Sequence, residues 1–310
     1  MDRETWLLWL LSDSQLPTGG FVASGGLEAG IQGGLVEGSA GRHYHFKPGP
    51  GVAEDRGDDR QHAKYSLSEF IKSSVVNQSR QVLPFASATH EAIFKCLARV
   101  CPPSAAAQGD GPDEQQVSML VDEIADIDHL HNAMLSSNSV ARRASLAQGS
   151  GLLSLFNRSY CVADIFGGDT ATQAFLQRAG KQLQYLCRLQ KMGGHWPVVF
   201  GFVCAALGIP LAKTQQLFLF TFVQQVFSAA VRLNLIGPLK AQTMQCEFYA
   251  FVSEILECHH HIRPKTTACY GENNNGEEEA LFDIEVAYTD PLLELHQGMH
   301  DRLYSRLFNS

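Results

Sequence analysis

Two uncharged stretches, Trp196 to Ala212 with 17 residues and Thr214 to Val231 with 18, are separated by Lys213 alone. Apolar runs of this length either cross a bilayer or fill the middle of a large core. Pro197, Gly201, Gly208 and Pro210 interrupt the first, while Gln224, Gln225 and Ser228 load the second with polar groups that lead into Arg232 and Asn234. Buried helices are therefore expected rather than a membrane hairpin. Elsewhere apolar spacings of three and four dominate, and windows that alternate apolar with polar residues are few. The pattern predicts an all-α, single-domain multi-helix bundle over 1–310, with a buried central helix, long polar loops and a C-terminal amphipathic helix. A hydrophobic content of 45% over 310 residues suffices for such a core.

Trp6, Leu7, Leu10 and Leu11 share a face of a first helix that must stop before Pro17 and Gly19-Gly20, and a short helix is expected after Ser24. Ser66 and Glu69 have capping-box spacing ahead of Leu67, Phe70, Ile71 and Val75, and Pro84 predicts a break or kink before a continuation to Val100. Val117, Leu120, Val121, Ile124 and Ile127 predict an amphipathic helix from Glu114, with Asp122, Glu123 and Asp126 on its other side. A later helix is expected to run through Lys191 and end at Gly193-Gly194. The segment Thr214 to Ile236, apolar nearly all round, is expected to be the central helix and to end at Gly237-Pro238. Residues 37–62, 101–113 and 262–288 read as flexible loops.

With 24 Lys and Arg against 32 Asp and Glu the net charge is -8, which leaves no long basic footprint for nucleic acid. Eight cysteines without a CxxC pair, mostly among apolar helical residues, fit a reducing compartment. Met1 to Leu11 carries Asp2 and Glu4 and no cleavage pattern of a secretory leader, so a cytoplasmic address is expected. Gly-x-Ser-x-Gly, His-Glu-x-x-His and Walker loops are absent, and the glycine-rich run at 19–26 lacks a lysine.

Asp126-x-x-His129, Asp128-x-x-His131 and Glu257-x-x-His260 have the spacing by which bundle helices offer metal ligands, which makes a di-metal carboxylate enzyme the alternative reading. The Asp-His pairs lie among charged neighbours, however, and read as a solvated face. Cys258, His259, His260 and His261 suit Ni, Zn or Cu by ligand type, but consecutive helix positions diverge. They read as adventitious surface affinity. His296 and His300 form an i, i+4 pair with no third ligand nearby in sequence.

On a helical C-terminus Leu295, Met299, Leu303 and Leu307 form an apolar line that Tyr304 and Phe308 widen. Arg302 and Arg306 repel each other, and no acid sits three or four positions from both. A foreign surface with a carboxylate would relieve both features.

Five ordered blocks then carry a resemblance. They are Leu10 to Phe21 with Gly26-Leu27-Glu28-Ala29; Arg143 to Gly149; His195 to Gly201; Arg232 to Pro238; and Gln297 to Ser310. Together they resemble the UreF family of urease accessory proteins. Val22-Ala23-Ser24-Gly25 departs from the family, where many members carry Ala-His-Ser and an aromatic, so no role for that histidine carries over. The resemblance implies an all-helical, often dimeric adaptor without catalysis or a resident cofactor. It would act in the cytoplasm with a UreD (UreH) accessory protein and the GTPase UreG on the urease apoprotein, so that nickel is inserted by the complex. It also implies a UreD-type contact through Met299, Arg302, Leu303, Tyr304, Arg306, Leu307 and Phe308. Structural or interface roles are implied for Pro17, Thr18, Gly19, Phe21, Glu28, Gln148, Gly149, His195, Pro197 and Arg232.

Overall fold

The computed structural model describes residues 2–13, 16, 18, 20–37, 64–100, 114–161, 170–259, 286–287 and 289–309. The expected loops at 37–62, 101–113 and 262–288 fall outside these residues, apart from Glu37, Val286 and Ala287. Pro17, Gly19 and His260 also lie outside. Among the described residues the elements are helical, with a single isolated bridge between Val36 and Tyr65.

Helix α1 (Arg3–Ser12) buries Leu7 and Leu11, one turn apart, and leaves Trp6 and Trp9 exposed in an edge-to-face pair, so its inward stripe is narrower than the sequence suggested. After α2 (Leu27–Gln32), α3 (Leu67–Asn77) starts with both arms of the expected capping box: Ser66 Oγ accepts from the Glu69 amide at 3.3 Å, and Glu69 Oε2 accepts from the Ser66 amide at 2.8 Å. Pro84 does not break the helix that follows. A π-helical turn over Gln78–Val82 leads straight into α4 (Leu83–Val100), and the Arg80 carbonyl, for which Pro84 has no N–H, accepts from the Ala287 amide at 3.3 Å.

In α5 (Glu114–Met134) Val117, Leu120, Val121, Ile124 and Ile127 are buried as the periodicity predicts. Asn138 caps α6 (Ser139–Leu155) through the Ala141 amide at 3.0 Å, and a π-helical turn, Phe156–Tyr160, ends it. Helix α7 (Thr170–Arg188) stops before the expected Lys191. Gln190 takes a left-handed φ of 56°, with Gln190 N–H to the Cys187 carbonyl at 3.1 Å and Lys191 N–H to the Leu186 carbonyl at 3.0 Å, a Schellman end that leaves Gly193 and Gly194 free for another task.

Helix α8 (Trp196–Ala206), not the longer segment after it, is the centre of the bundle. All residues from Pro197 to Ala206 are buried, and it packs between α4 and α6. Each of its buried valines and phenylalanines contributes about 1.5–3 kcal/mol relative to exposure. Gly201 lets the backbones meet: a Cβ there would lie 2.2 Å from the Ala86 carbonyl oxygen. Helix α9 (Leu211–Arg232) buries one face and ends at Asn234, whose φ of 57° closes a second Schellman end; Gly237-Pro238 instead opens α10 (Pro238–His259).

The C-terminal α11 (Pro291–Gly298) is tied to α3 by Asp290, which accepts from the Leu292 amide at 3.2 Å, from Ser73 Oγ at 3.0 Å and from the Tyr65 hydroxyl. Burial raises the Asp290 carboxyl, but these hydrogen bonds and the charge of Lys64 outweigh it and hold it below the ordinary aspartate value. No helix among the described residues is long and apolar enough to cross a membrane.

Candidate functional site: a docked C-terminal segment

Gly26, at φ 86°, turns the chain into α2 and sets Glu28 against the end of the chain. Glu28 is 3% exposed. Its carboxylate accepts from the Leu307 amide at 2.6 Å and the Phe308 amide at 3.1 Å, and lies 3.0 Å from His300 Nε2. Burial alone raises the Glu28 carboxyl; the contacts with His300 and the two amides overcome that and leave it below its usual range. Two bonds to main-chain carbonyls complete the dock, one from the Asn309 amide to Val22 at 2.9 Å and one from the Gln32 side-chain Nε2 to Ser305 at 2.9 Å.

Arg232, at the C-terminus of α9 where the helix dipole favours a cation, inserts between two aromatic rings. Its guanidinium carbon lies 3.9 Å from the Phe21 ring centre and 4.4 Å from that of Phe308. Phe21 is exposed outside the stack, and Phe308 is buried beneath it. Alongside, Arg143 grips Asp301 with two hydrogen bonds at 2.9 and 3.1 Å, and Arg306 meets the same carboxylate at 3.1 Å.

These contacts correct the expected terminal helix. The α-helix ends at Gly298, a single 3-10 turn covers Met299–Arg302, and residues 303–309 follow without regular helix. The line of Leu295, Met299, Leu303 and Leu307 therefore does not exist as one helical face, and Arg306 finds its acid five positions back in Asp301, a spacing that only non-helical backbone closes. Phe308 belongs to the protein's own core. Leu295, Tyr304 and Leu307 remain exposed, Tyr304 completely, and Arg302 is exposed with them.

A second polar junction holds the entrance of α8. Asp128 is fully buried and accepts from the amides of Gly193 at 2.7 Å, Gly194 at 3.1 Å and His195 at 2.7 Å. His195 in turn lies 3.1 Å from both Ser145 Oγ and Asn132 Oδ1. Gly149 must be glycine here, because a Cβ would fall 2.0 Å from the Gly194 carbonyl oxygen. His131 packs against Phe85 and edge-on to His195, with neither ring nitrogen hydrogen-bonded; burial, then the proximity of His195, lowers its pKa to about 3.

The reading of Asp128 and His131 as a solvated face is thus wrong, while Asp126 and His129 are exposed. The missed signal was register: Asp128 and His131 continue the stripe of Val117, Val121 and Ile124 at helical spacing. Among the described residues the metal alternatives do not converge. Glu257 and Cys258 are exposed near the end of α10, His300 is engaged by Glu28, and among the described residues no group of three or more His, Cys, Asp or Glu side chains is placed to hold an ion. The side chain of His259 lies outside the described residues.

Between the two junctions runs a cleft of about 220 Å³ to which all five sequence blocks contribute: Thr18 and Phe21, Gln148, Pro197, Arg232, and Gln297. Its polar lining mixes side-chain amides and the Arg232 guanidinium with the carboxyl groups of Asp13 and Glu294. Sites 280 residues apart in sequence are thereby one place.

Fold and site define an all-α bundle that clasps its own C-terminal segment with a buried carboxylate and presents that segment's outer side to solvent. Comparison with known sequences narrows the class. A profile of the UreF family matches residues 62–249. The chain is 31% identical to urease accessory protein 6 of Cryptococcus neoformans var. grubii, over 99% of this chain and 98% of that protein. It is 29% identical to urease accessory protein F of Oryza sativa, over 98% of this chain and 84% of that protein, and 29% identical to the Arabidopsis thaliana protein of the same name, over 98% and 92%. The chain belongs to the UreF family of urease accessory proteins.

Proposed function

We propose that this chain is a non-catalytic adaptor of urease maturation in the cytoplasm. With a UreD (UreH)-type protein and a UreG-type GTPase it enables GTP-dependent incorporation of nickel into the urease apoprotein, and it works as a homodimer within that complex. GTP hydrolysis belongs to the GTPase, and nickel is cargo of the assembly, not a resident cofactor of this chain. The observation that supports the reading is the convergence of the five UreF-like blocks on one cleft beside the docked tail, whose neighbouring residues Leu295, Tyr304 and Leu307 stay uncovered. An apolar and aromatic strip on a rigidly anchored segment is suited to a partner's surface, because little ordering entropy remains to be lost on binding.

Urease apoprotein, the UreD-type and UreG-type proteins, nickel, bicarbonate and GTP should yield active urease only when this chain is added; equal activation without it overturns the reading. For the tail contact, Tyr304→Ala with Leu307→Ser leaves Glu28, His300 and Phe308 in place. Loss of co-purification with the UreD-type protein is expected, and retained co-purification overturns that interface.

A further inference from the structure

Charge is segregated along this chain. Between Asp128 and Glu247 there are ten Lys and Arg but only two acids, Asp164 and Asp169, both outside the described residues; that span is +8. The remaining fourteen Lys and Arg and thirty Asp and Glu give -16, consistent with the total of -8. A protein acidic as a whole thus carries one long basic span.

The fold gathers part of it into a groove. The end of α5, the outer side of α6 with its π-helical turn, and the end of α7 enclose about 740 Å³, into which His129, Arg142, Arg158 and Arg188 face. Among the described residues no carboxylate lines it. Arg142 donates to Asn132 Oδ1 at 2.8 Å, and among the described residues none of the three arginines forms an ion pair. Asp128, adjacent to His129 in sequence, has both oxygens engaged by the amides of 193–195. Tyr185, on the last turn of α7 with Arg188, and Leu189, just after the helix, are exposed at 59% and 46%.

We propose that this groove docks an acidic segment of a partner polypeptide. Guanidinium groups without a counter-ion attract carboxylates, and the neighbouring tyrosine and leucine offer the apolar contacts that distinguish a protein partner from a free anion. Nucleic acid is disfavoured because a long polyanion would also meet the -16 carried by the rest of the chain. The inference goes beyond the adaptor reading and does not depend on it, since it follows from charge and shape of this chain alone.

The probe is a fluorescein-labelled peptide of repeating Glu-Glu-Leu, titrated with the full-length protein and followed by anisotropy. Saturable binding is expected, weakened roughly tenfold in the double variant Arg158→Glu, Arg188→Glu and unchanged in Lys240→Glu, an exposed lysine outside the groove. Both altered side chains are exposed, and an unchanged helical circular-dichroism spectrum verifies folding. The proposal is overturned by absent binding, or by equal binding of the double variant. Tighter binding of a single-stranded oligonucleotide of equal charge would make the groove a nucleic-acid site instead. Displacement by inorganic phosphate beyond that by sodium chloride at the same ionic strength would make it a small-anion site.

Discussion

Glu28 and His300 are 272 positions apart in the chain and 3.0 Å apart in the fold, and between them they decide where the C-terminus goes. The carboxylate also accepts the Leu307 and Phe308 amides, so one buried side chain organises residues 300–309 through three hydrogen-bond donors. Replacement by an isosteric amide tests this arrangement. In Glu28→Gln the side-chain NH₂ meets donors, leaving at least one unpaired at a cost of about 2 kcal/mol. Amide hydrogen exchange should accelerate over 303–309 while α8 stays protected; unchanged protection would refute the clasp.

The same carboxyl gives the dock an acid limit. Its pKa is lower folded than its ordinary value of 4.5, so its contribution to stability is complete above 4.5 and is lost as pH falls through the folded value. Limited proteolysis should release the tail only once the pH has fallen below 4.5 and through the lower folded value, and spare it at neutrality, and Glu28→Gln should show no such step.

His131 titrates in the opposite chemical sense with the same consequence. Its folded pKa of about 3 lies below the ordinary 6.5, so the unfolded chain binds the proton more readily and stability declines as pH drops from 6.5 towards 3. One unit below 6.5 the loss is about 1.4 kcal/mol from this residue. His131→Leu, of similar size and with no polar group to leave unpaired, should match or exceed the wild type in urea unfolding at neutral pH and flatten that decline.

Gly149→Ala forces a methyl to 2.0 Å from the Gly194 carbonyl oxygen, where only backbone can yield. A loss of more than about 3 kcal/mol is expected. Gly237→Ala, with open space around the new Cβ, serves as the control and should change stability by less than about 1 kcal/mol.

Arg232 is held by two rings, which a planar guanidinium stacks on and an ammonium does not. Arg232→Lys should therefore lose about 1–2 kcal/mol of stability in denaturant unfolding despite keeping the charge. Equal stability of the lysine variant would mean that charge, not stacking, is what position 232 supplies.

Local rules read well wherever the partner groups lie within a few residues. The Ser66 and Glu69 capping box and the α5 stripe were legible, whereas at Pro84 the expected break is replaced by a π-turn that leads into a continuous helix. The two helix ends capped by Gln190 and Asn234 were not, because glycines just downstream carried the stronger stop signal while the chain used non-glycine residues at positive φ. The choice of central helix also failed on length: α9 is longer, but α8 lacks the glutamines that mark a side facing out.

By itself the sequence determined an all-helical chain, its main amphipathic stripes and, through five separated blocks, its family. Tertiary structure alone decided that Asp128 receives the 193–195 amides, that Arg143 and Arg306 share Asp301, and that the terminal segment leaves the helix to bury Phe308. The reason is range. Helical periodicity is fixed by hydrogen bonds four residues apart, whereas a buried carboxylate is satisfied by whichever donors the whole fold brings within 3 Å, and nothing in local spacing says which those are.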